Sequence, residues 1–241
     1  MTAHANSPAL QLKEVSAAYG QAQILFDVSL DVPTGSVVAL MGRYGACKST
    51  TLKSIMGLLS SVKGAVTLRG EKIDGMASFE IARRGLGYVP EDRRIFTNLT
   101  VFENLDVGLQ PPRPNTPHWT PEKLFEIFPN LAEMRNRPAS AMSGGEQQML
   151  TIARTLMGNP SVILLDEPSE GIAPVIVEQM ARTIKALKAE GLTVLVSEQN
   201  LYFATEVSDR AYVIEKGRIR FSGTMTELAE NEEIRKAYLT L

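Results

Sequence analysis

The most informative stretch of the sequence reads Gly42-Arg43-Tyr44-Gly45-Ala46-Cys47-Lys48-Ser49-Thr50. A compact apolar run, residues 36–41, precedes it, and residues 48–58 have the pattern of a helix. A loop between a strand and a helix can surround a phosphate with backbone N–H groups, because the helix dipole favours an anion at its N-terminus. The stretch therefore predicts a phosphate-binding loop in which Lys48 reaches the terminal phosphates and the Ser49 hydroxyl binds Mg²⁺.

Cys47 departs from the usual pattern of such a loop, which has glycine immediately before the lysine. Glycine at this position permits unusual dihedral angles and a close approach of the backbone to the phosphates. A Cβ and a sulfur crowd the nucleotide or strain the loop, at a cost of about 1–3 kcal/mol. One alternative is therefore a degenerate loop with weak or no nucleotide binding. The neighbouring Lys48 and the helix N-terminus also predict a Cys47 thiol that ionises readily.

A second informative stretch is an apolar run, residues 162–165, that ends in Asp166-Glu167. Removing carboxylates from water costs several kcal/mol unless they are paired or bound to a metal. A cation beside the phosphates supplies that compensation, so we expect Asp166 to hold Mg²⁺ and Glu167 to polarise the attacking water. The alternative is a strand that simply ends at a polar surface turn before Pro168.

The pattern of apolar residues predicts alternating strands and helices in the second half of the chain. Such alternation implies a parallel sheet covered on both faces. The predicted order is strand 162–166, helix 174–189, strand 192–197, helix 200–207, and strands 211–215 and 218–222. Residues 10–15 and 23–32 alternate as half-buried strands do, and short strands are predicted at 66–68 and 87–89. Residues 97–158 change to helices and loops, with a proline-rich exposed loop at 111–117.

Composition narrows the class of protein. The 241 residues are 44% hydrophobic and 22% charged, as in ordinary folded proteins, and the net charge of -2 gives no overall attraction for nucleic acid. No apolar run approaches the roughly 20 residues of a membrane span, and residues 1–10 lack a signal-peptide pattern, so a cytoplasmic location is expected. A single cysteine and two histidines, His4 and His118, argue against an intramolecular disulfide and a multi-histidine metal site.

A third motif, Met142-Ser143-Gly144-Gly145-Glu146-Gln147-Gln148, precedes a helical run at 149–157. Ser143 and Glu146 have the spacing of a capping box, so a plain helix start is the alternative interpretation. Two glycines at that start are useful where a phosphate approaches the backbone. The motif resembles the ABC signature, usually Leu-Ser-Gly-Gly-Gln. Its place after the phosphate loop and just before the acidic strand is similar to the ABC ATPase family over essentially the whole chain.

The resemblance implies an α/β fold, with a P-loop NTPase (RecA-like) core around a parallel sheet, an N-terminal antiparallel β subdomain and an inserted helical subdomain. It implies one ABC ATPase domain at 9–241, with core residues 9–96 and 158–241, a helical subdomain at about 97–157, and a flexible N-terminus at 1–8. ATP and Mg²⁺ are the implied cofactors. Each nucleotide would lie in a head-to-tail dimer, between the phosphate loop of one subunit and the signature of the other.

The resemblance also assigns roles to individual residues. Catalysis is assigned to Glu167, and to Gln199, which stands where the family usually has a switch histidine. Magnesium is assigned to Ser49, Asp166 and Glu91, the last at a position that is usually glutamine. Tyr19 matches the aromatic residue that stacks on adenine. The full set of implied ATP contacts is Tyr19, Gly42, Arg43, Tyr44, Gly45, Ala46, Cys47, Lys48, Ser49, Thr50, Ser143, Gly144, Gly145 and Glu146.

Three further stretches, residues 88–96, 166–174 and 196–200, look like the second ATP-binding subunit of branched-chain amino acid importers, the LivF type. In that branch Glu91 and Gln199 are typical, whereas Tyr44 and Cys47 replace asparagine and glycine. The implied function is to couple ATP binding and hydrolysis to uptake of branched-chain or related amino acids. The implied partners are a second ATP-binding subunit (a homodimer for the isolated chain), two membrane permeases that dock near Glu91 and the helical insertion, and indirectly a periplasmic solute-binding protein. The implied location is the cytoplasmic face of the inner membrane. Nucleic acid is not among the implied partners.

Three alternatives stay open at this point. The first is a non-hydrolysing structural or regulatory subunit of the same transporter, indicated by Cys47, Tyr44 and the missing switch histidine. The second is an importer of urea or amides. The third is a soluble DNA-associated ATPase of the same superfamily, although those proteins carry long coiled coils or tandem ATPase domains that 241 residues do not accommodate.

Overall fold

The computed structural model describes residues 8–239, and its centre is a six-stranded sheet in the order β10-β9-β3-β8-β7-β6. Five of these strands are parallel, and β10 pairs antiparallel with β9 at one edge. The strands are β3 (Val37–Met41), β6 (Leu86–Val89), β7 (Val162–Asp166), β8 (Thr193–Glu198), β9 (Arg210–Glu215) and β10 (Arg218–Thr224). The carboxyl ends of β3, β7 and β8 therefore meet at one edge of the sheet, where the predicted phosphate loop and acidic pair are attached.

A second, antiparallel sheet has the order β2-β1-β4-β5. Its strands are β1 (Leu10–Tyr19), β2 (Ala22–Val32), β4 (Ser61–Leu68) and β5 (Glu71–Lys72). β1 pairs with both β2 and β4, and its alternating burial matches the half-buried pattern expected from the sequence. The turn between β9 and β10 touches this sheet, since the Phe26 N–H donates to the Gly217 carbonyl at 2.9 Å.

The helices lie around the central sheet and in the middle of the chain. They are α1 (Lys48–Ile55), α2 (Ser78–Arg83), α3 (Val101–Val107), α4 (Pro121–Ile127), α5 (Pro129–Glu133), α6 (Gly144–Leu156), α7 (Pro174–Ala189), α8 (Leu201–Val207), α9 (Met225–Glu230) and α10 (Glu232–Tyr238). The two C-terminal helices had no counterpart in the sequence interpretation. Within residues 8–239, none of the helices combines the length and the apolar character needed to cross a bilayer.

The central strands are buried on both faces. Val37, Ala39 and Met41 of β3 belong to the core that includes α6, α7 and α8, while Val38 and Leu40 belong to the core beneath the antiparallel sheet. A strand covered on both faces reads as a continuous apolar run, which is why residues 36–41 and 162–165 show no alternation. The predicted parallel sheet and the predicted antiparallel β subdomain are both present.

The proline-rich loop at 111–117 is anchored by Arg113, although most of its residues are exposed, as predicted. The Arg113 guanidinium donates to the carbonyls of Gly158 and Asn159 and to those of Ala82 and Arg83, which close α2. Exposed helix-end carbonyls favour a cation. The loop is therefore fastened to the core. The division into a core and a helical subdomain stays a prediction, and the expected flexible N-terminus lies, except for residue 8, outside the described residues.

Candidate functional site

Lys48 lies at the centre of the phosphate loop, at the start of α1. Its side chain is buried, and its ammonium nitrogen donates to the carbonyls of Gly42 at 2.7 Å and Arg43 at 3.1 Å. It also lies 3.1 Å from a carboxylate oxygen of Glu167, at the end of β7. A buried ammonium needs such partners because its hydration has been removed. The loop carbonyls and Glu167 thus hold the lysine where an incoming phosphate can replace the two carbonyls as its acceptors.

Cys47 occupies a left-handed backbone conformation at the start of the same helix, with a φ of 80°. This region costs a residue with a Cβ about 1–2 kcal/mol, so the strain expected from the missing glycine is present in the structure. The sulfur packs toward the core beneath the antiparallel sheet, beside the N–H of Gly217 in the β9–β10 turn. The strain therefore comes from the backbone of the loop.

The expected easily ionised thiol at Cys47 is wrong. Burial raises the pKa of the Cys47 thiol, and the nearby Glu215 carboxylate raises this pKa further. The Gly217 N–H and the Lys48 ammonium both lower the pKa, but they do not outweigh burial. The sequence could not show this, because Glu215 ends β9 and Gly217 lies in the following turn, both far along the chain. Cys47 is thus a mostly neutral, half-buried side chain.

Asp166 receives three hydroxyl groups at the end of β7. One of its oxygens, Oδ1, accepts from Ser49 at 2.9 Å and from Ser197 at 2.7 Å, and Oδ2 accepts from the Tyr88 hydroxyl at 3.1 Å. These bonds compensate for the nearly complete burial of the carboxylate. Ser49 and Asp166 were predicted to act together, and the structure places them in contact. Tyr88 and Ser197 were not predicted.

The residues at this point fit magnesium. A hydroxyl and a carboxylate meet there, and hard oxygen donors are the ligands that Mg²⁺ prefers. In the described part of the chain, no three His, Cys, Asp or Glu side chains form a metal-binding group. Mg²⁺ commonly takes one or two carboxylates and completes its shell with substrate phosphates and water. Ser49 and Asp166 would hold the ion, and the exposed Glu91 lies close enough to influence Glu167.

Glu167 has the features of a general base. Its backbone φ is 45°, and its N–H donates to both the carbonyl and the hydroxyl of Ser197 at 3.1 Å. Burial raises the pKa of the Glu167 carboxyl, Lys48 lowers it, and Glu91 and Asp166 raise it. A carboxyl whose pKa is raised by burial accepts a proton more readily than an exposed one, which suits general-base catalysis.

Two carboxylates join the loop after β7 to the loop after β8. Glu198 is buried and accepts the N–H groups of Ser169 at 3.0 Å and Asn200 at 3.2 Å. The Gln199 amide donates to the Glu170 carboxylate at 2.7 Å. The predicted switch residue Gln199 is therefore held by the loop that follows Glu167. Glu198 was missed, although an apolar run ending in an acid is the signal that identified Asp166.

The stability of the protein should depend on pH through Glu198. Burial raises the pKa of this carboxyl to about 7, against an ordinary value of 4.5. Between these values the folded state keeps a proton that the unfolded state has lost, so the free energy of unfolding falls as pH rises through this window, by about 3 kcal/mol at most. Glu198→Gln should flatten the decline of the melting temperature across that range, whereas the exposed control Glu178→Gln should not. Parallel curves for the native chain and Glu198→Gln would show that Glu198 does not titrate in this window.

The signature segment forms the predicted capping box. The Ser143 N–H donates to Glu146 at 2.6 Å, and the Glu146 N–H donates to the Ser143 hydroxyl at 3.4 Å. A Cβ at Gly144 would lie 2.7 Å from the Arg93 guanidinium, and one at Gly145 would lie 2.6 Å from Ile176. Close packing therefore explains Gly145 within this chain, whereas the flexible Arg93 side chain could move to admit a Cβ at Gly144. Within this chain the signature segment packs against Arg93 and Ile176. Lys48 and Ser49 of the phosphate loop instead contact Glu167 and Asp166.

The remaining predicted ATP contacts lie around the loop. Tyr19 ends β1 with an exposed ring, and Tyr44 is 90% exposed at the tip of the loop. The Gly42 N–H donates to the Glu198 carbonyl, the Ala46 N–H donates to the Arg43 carbonyl, and the Ala46 carbonyl accepts from Gly217. The Arg43 guanidinium donates to the Lys236 carbonyl, and Gly45 and Thr50 complete the loop on either side of Lys48. No contact of the structure tests the adenine role of Tyr19, which stays a prediction.

Comparison with known proteins tests the resemblance directly. The family profile described as "ABC transporter" matches residues 25–170. The chain belongs to the ABC transporter family. ATP hydrolysis coupled to transport is the activity expected of such a subunit, and the predicted recognition and fold class are both confirmed.

Three curated relatives match nearly the whole chain. The "High-affinity branched-chain amino acid transport ATP-binding protein BraG" of Pseudomonas aeruginosa is 44% identical and covers 95% of this chain and 99% of its own. The "Probable branched-chain amino acid transport ATP-binding protein LivF" of Archaeoglobus fulgidus is 36% identical, with coverage of 94% and 97%. The "Lipopolysaccharide export system ATP-binding protein LptB" of Haemophilus influenzae is 35% identical, with coverage of 95% and 96%.

Solved structures agree with the family assignment. An ATP-binding cassette of an ABC transporter in its ADP conformation superposes with a TM-score of 0.81 at 26% identity, covering 96% of this chain and 98% of its own. An "ATP binding subunit of ABC transporter" superposes with a TM-score of 0.77 at 28% identity, with coverage of 96% of both chains. The cassette fold therefore extends over almost all of the chain.

Proposed function

We propose that this chain is the ATP-binding subunit of an importer for branched-chain or related amino acids, and that it couples ATP binding and hydrolysis to uptake. The observation that carries the proposal is the group formed by the buried Lys48, Asp166 and Glu167 and the half-buried Ser49, which has the chemistry needed to bind and cleave a triphosphate. The likeness to BraG supports the solute class, since that relative is named for branched-chain amino acid transport.

The geometry suggests how the chain's residues share the work. Lys48 exchanges the carbonyls of Gly42 and Arg43 for phosphate oxygens, and the amides at the start of α1 face the same anion. Ser49 and Asp166 would hold magnesium, which would supply charge stabilisation for the phosphates. Glu167 takes a proton from the attacking water, and its ion pair with Lys48 keeps the carboxylate oriented. Gln199, held by Glu170, stands at the switch position.

A groove of about 640 Å³ supports docking of a membrane permease beside the helical insertion. Exposed apolar side chains line it, among them Leu58, Phe79, Phe96 and Val107, and it also contains Arg83, Arg94, Arg113 and Arg154. Exposed apolar patches of this kind mark interaction sites, and the cations favour a partner segment with acidic residues. We place the chain at the cytoplasmic face of the inner membrane, with two permeases, a second ATP-binding subunit that completes each nucleotide site, and indirectly a periplasmic solute-binding protein.

The rival function is a non-hydrolysing structural or regulatory subunit, and the strained Cys47 is the observation that favours it. Calorimetry with Mg-ATP separates the two, comparing the native chain with the double variant Tyr44→Asn, Cys47→Gly. We expect micromolar binding by the native chain. Binding by the double variant alone would support the rival function.

Two single variants of the loop test the physical basis of the strain. Cys47→Gly should raise the free energy of unfolding by about 1 kcal/mol, because glycine adopts the positive φ at Cys47 without a penalty. Ala46→Gly is the matched control, since Ala46 is the neighbouring loop residue and its φ is not positive. Urea unfolding of the two variants measures the difference. An equal effect of both changes would show that the Cys47 backbone is not strained.

A further inference from the structure

We propose that Tyr88 is a positioning residue that connects the permease-docking groove to the magnesium carboxylate of Asp166. This inference rests on the proposed function, because it concerns how the same site responds to its partner. The role would make magnesium binding sensitive to what occupies the groove.

The first step is the position of Tyr88 on the edge strand β6. In the parallel pairing with β7, Tyr88 lies opposite Leu164, and Asp166 follows two residues later on β7. The Tyr88 hydroxyl spans this offset and donates to Asp166 Oδ2 at 3.1 Å. The other oxygen of Asp166 accepts from Ser49 and Ser197, so Tyr88 is the described partner that fixes Oδ2.

The second step is that Tyr88 also lines the groove. Leu86, Gly87 and Pro90 on the same strand end line it too, and Arg94 and Phe96 follow in the loop beyond. One half-buried side chain therefore lines the docking groove and donates its hydroxyl to the carboxylate of Asp166. A carboxylate oxygen can only accept, so the Tyr88 hydroxyl is the donor in this hydrogen bond.

The third step is mechanical. A hydrogen bond weakens steeply once the donor and acceptor separate or bend away from alignment. β6 has one neighbour in the sheet, β7, so a segment pressed into the groove can shift its side chains more easily than those of a central strand. A small displacement of Tyr88 would release or reorient Asp166, and would thereby change the affinity of the site for magnesium.

The test uses Tyr88→Phe, which keeps the ring in the groove and removes the hydroxyl. The binding of a fluorescent ATP analogue to the full chain is titrated with Mg²⁺, and binding is also measured in EDTA. We expect the half-saturating Mg²⁺ concentration to rise by roughly ten- to a hundredfold, as the loss of one hydrogen bond to a charged group implies, and the affinity in EDTA to stay unchanged. Tyr212→Phe is the control, because it removes a tyrosine hydroxyl that contacts Asp31 elsewhere on the sheet.

The same titration on the assembled transporter tests the connection to the groove. Assembly with the permeases should shift the half-saturating Mg²⁺ concentration of the native chain, and this shift should be absent in Tyr88→Phe. An unchanged magnesium requirement in a folded Tyr88→Phe chain, judged by its melting temperature, overturns the role of Tyr88, as does an equal shift on assembly for both chains. Absence of nucleotide binding by the native chain in both Mg²⁺ and EDTA overturns the proposed function itself.

Discussion

Glu167→Gln is expected to lower kcat for ATP hydrolysis by roughly 10²–10⁴-fold, the range attributed to a general base. Glutamine keeps the shape of the side chain but cannot take the proton of the attacking water. Glu167 is buried beside Lys48 and its pKa is raised mainly by burial, so the native carboxylate is suited to that proton transfer. Phosphate release by the reconstituted transporter measures the effect.

Nucleotide binding should survive the same substitution. Lys48 keeps its bonds to the Gly42 and Arg43 carbonyls, and Ser49 keeps Asp166 as a partner, so the phosphate loop retains its arrangement. ATP should therefore accumulate on the protein and trap the closed dimer, which size-exclusion chromatography with labelled ATP would detect. Glu178→Gln, an equal charge change on the exposed face of α7, is the control and should hydrolyse normally. Unchanged turnover in Glu167→Gln would remove Glu167 from its assigned role.

Much of the site could be predicted because parallel strands bring their carboxyl ends to one edge. Residues 36–41 and 162–165 are apolar runs, so each was recognisable as a central strand. The phosphate loop directly follows the first run, and the acidic pair Asp166-Glu167 directly follows the second. The meeting of Lys48 and Ser49 with Asp166 and Glu167 follows from that arrangement. The capping box at Ser143 could also be predicted, because it joins residues three positions apart and does not depend on the fold.

The partners that depend on strand order could not be predicted. β8 lies between β3 and β7, and this position brings Ser197 to Asp166 and Glu198 to Ser169. Tyr88 reaches Asp166 only because β6 is the next strand along the sheet. The error over Cys47 has the same origin. Its neighbours in sequence predict an ionised thiol, whereas the sulfur packs against the core beneath the antiparallel sheet and the end of β9 adds the Glu215 carboxylate.

Lys48→Met should have two separable effects, one on stability and one on binding. Removing the ammonium leaves the buried Glu167 carboxylate without its counter-charge, and breaking a buried pair in this way costs about 3 kcal/mol. It also removes the cation that faces the phosphates, so Mg-ATP binding should fall below calorimetric detection. Urea unfolding and calorimetry on the same preparation measure the two effects.

The double variant Lys48→Met, Glu167→Gln distinguishes the two effects. Because no charge is then left unpaired, its free energy of unfolding should recover most of the loss seen in Lys48→Met alone, which is the coupling expected of residues in direct contact. Mg-ATP binding should not recover, since the phosphates still lack their lysine. If Lys48→Met were no less stable than the double variant, the pair 3.1 Å apart would not be compensating a buried charge. The carboxylate would then reach water, and burial could no longer explain why it is a base.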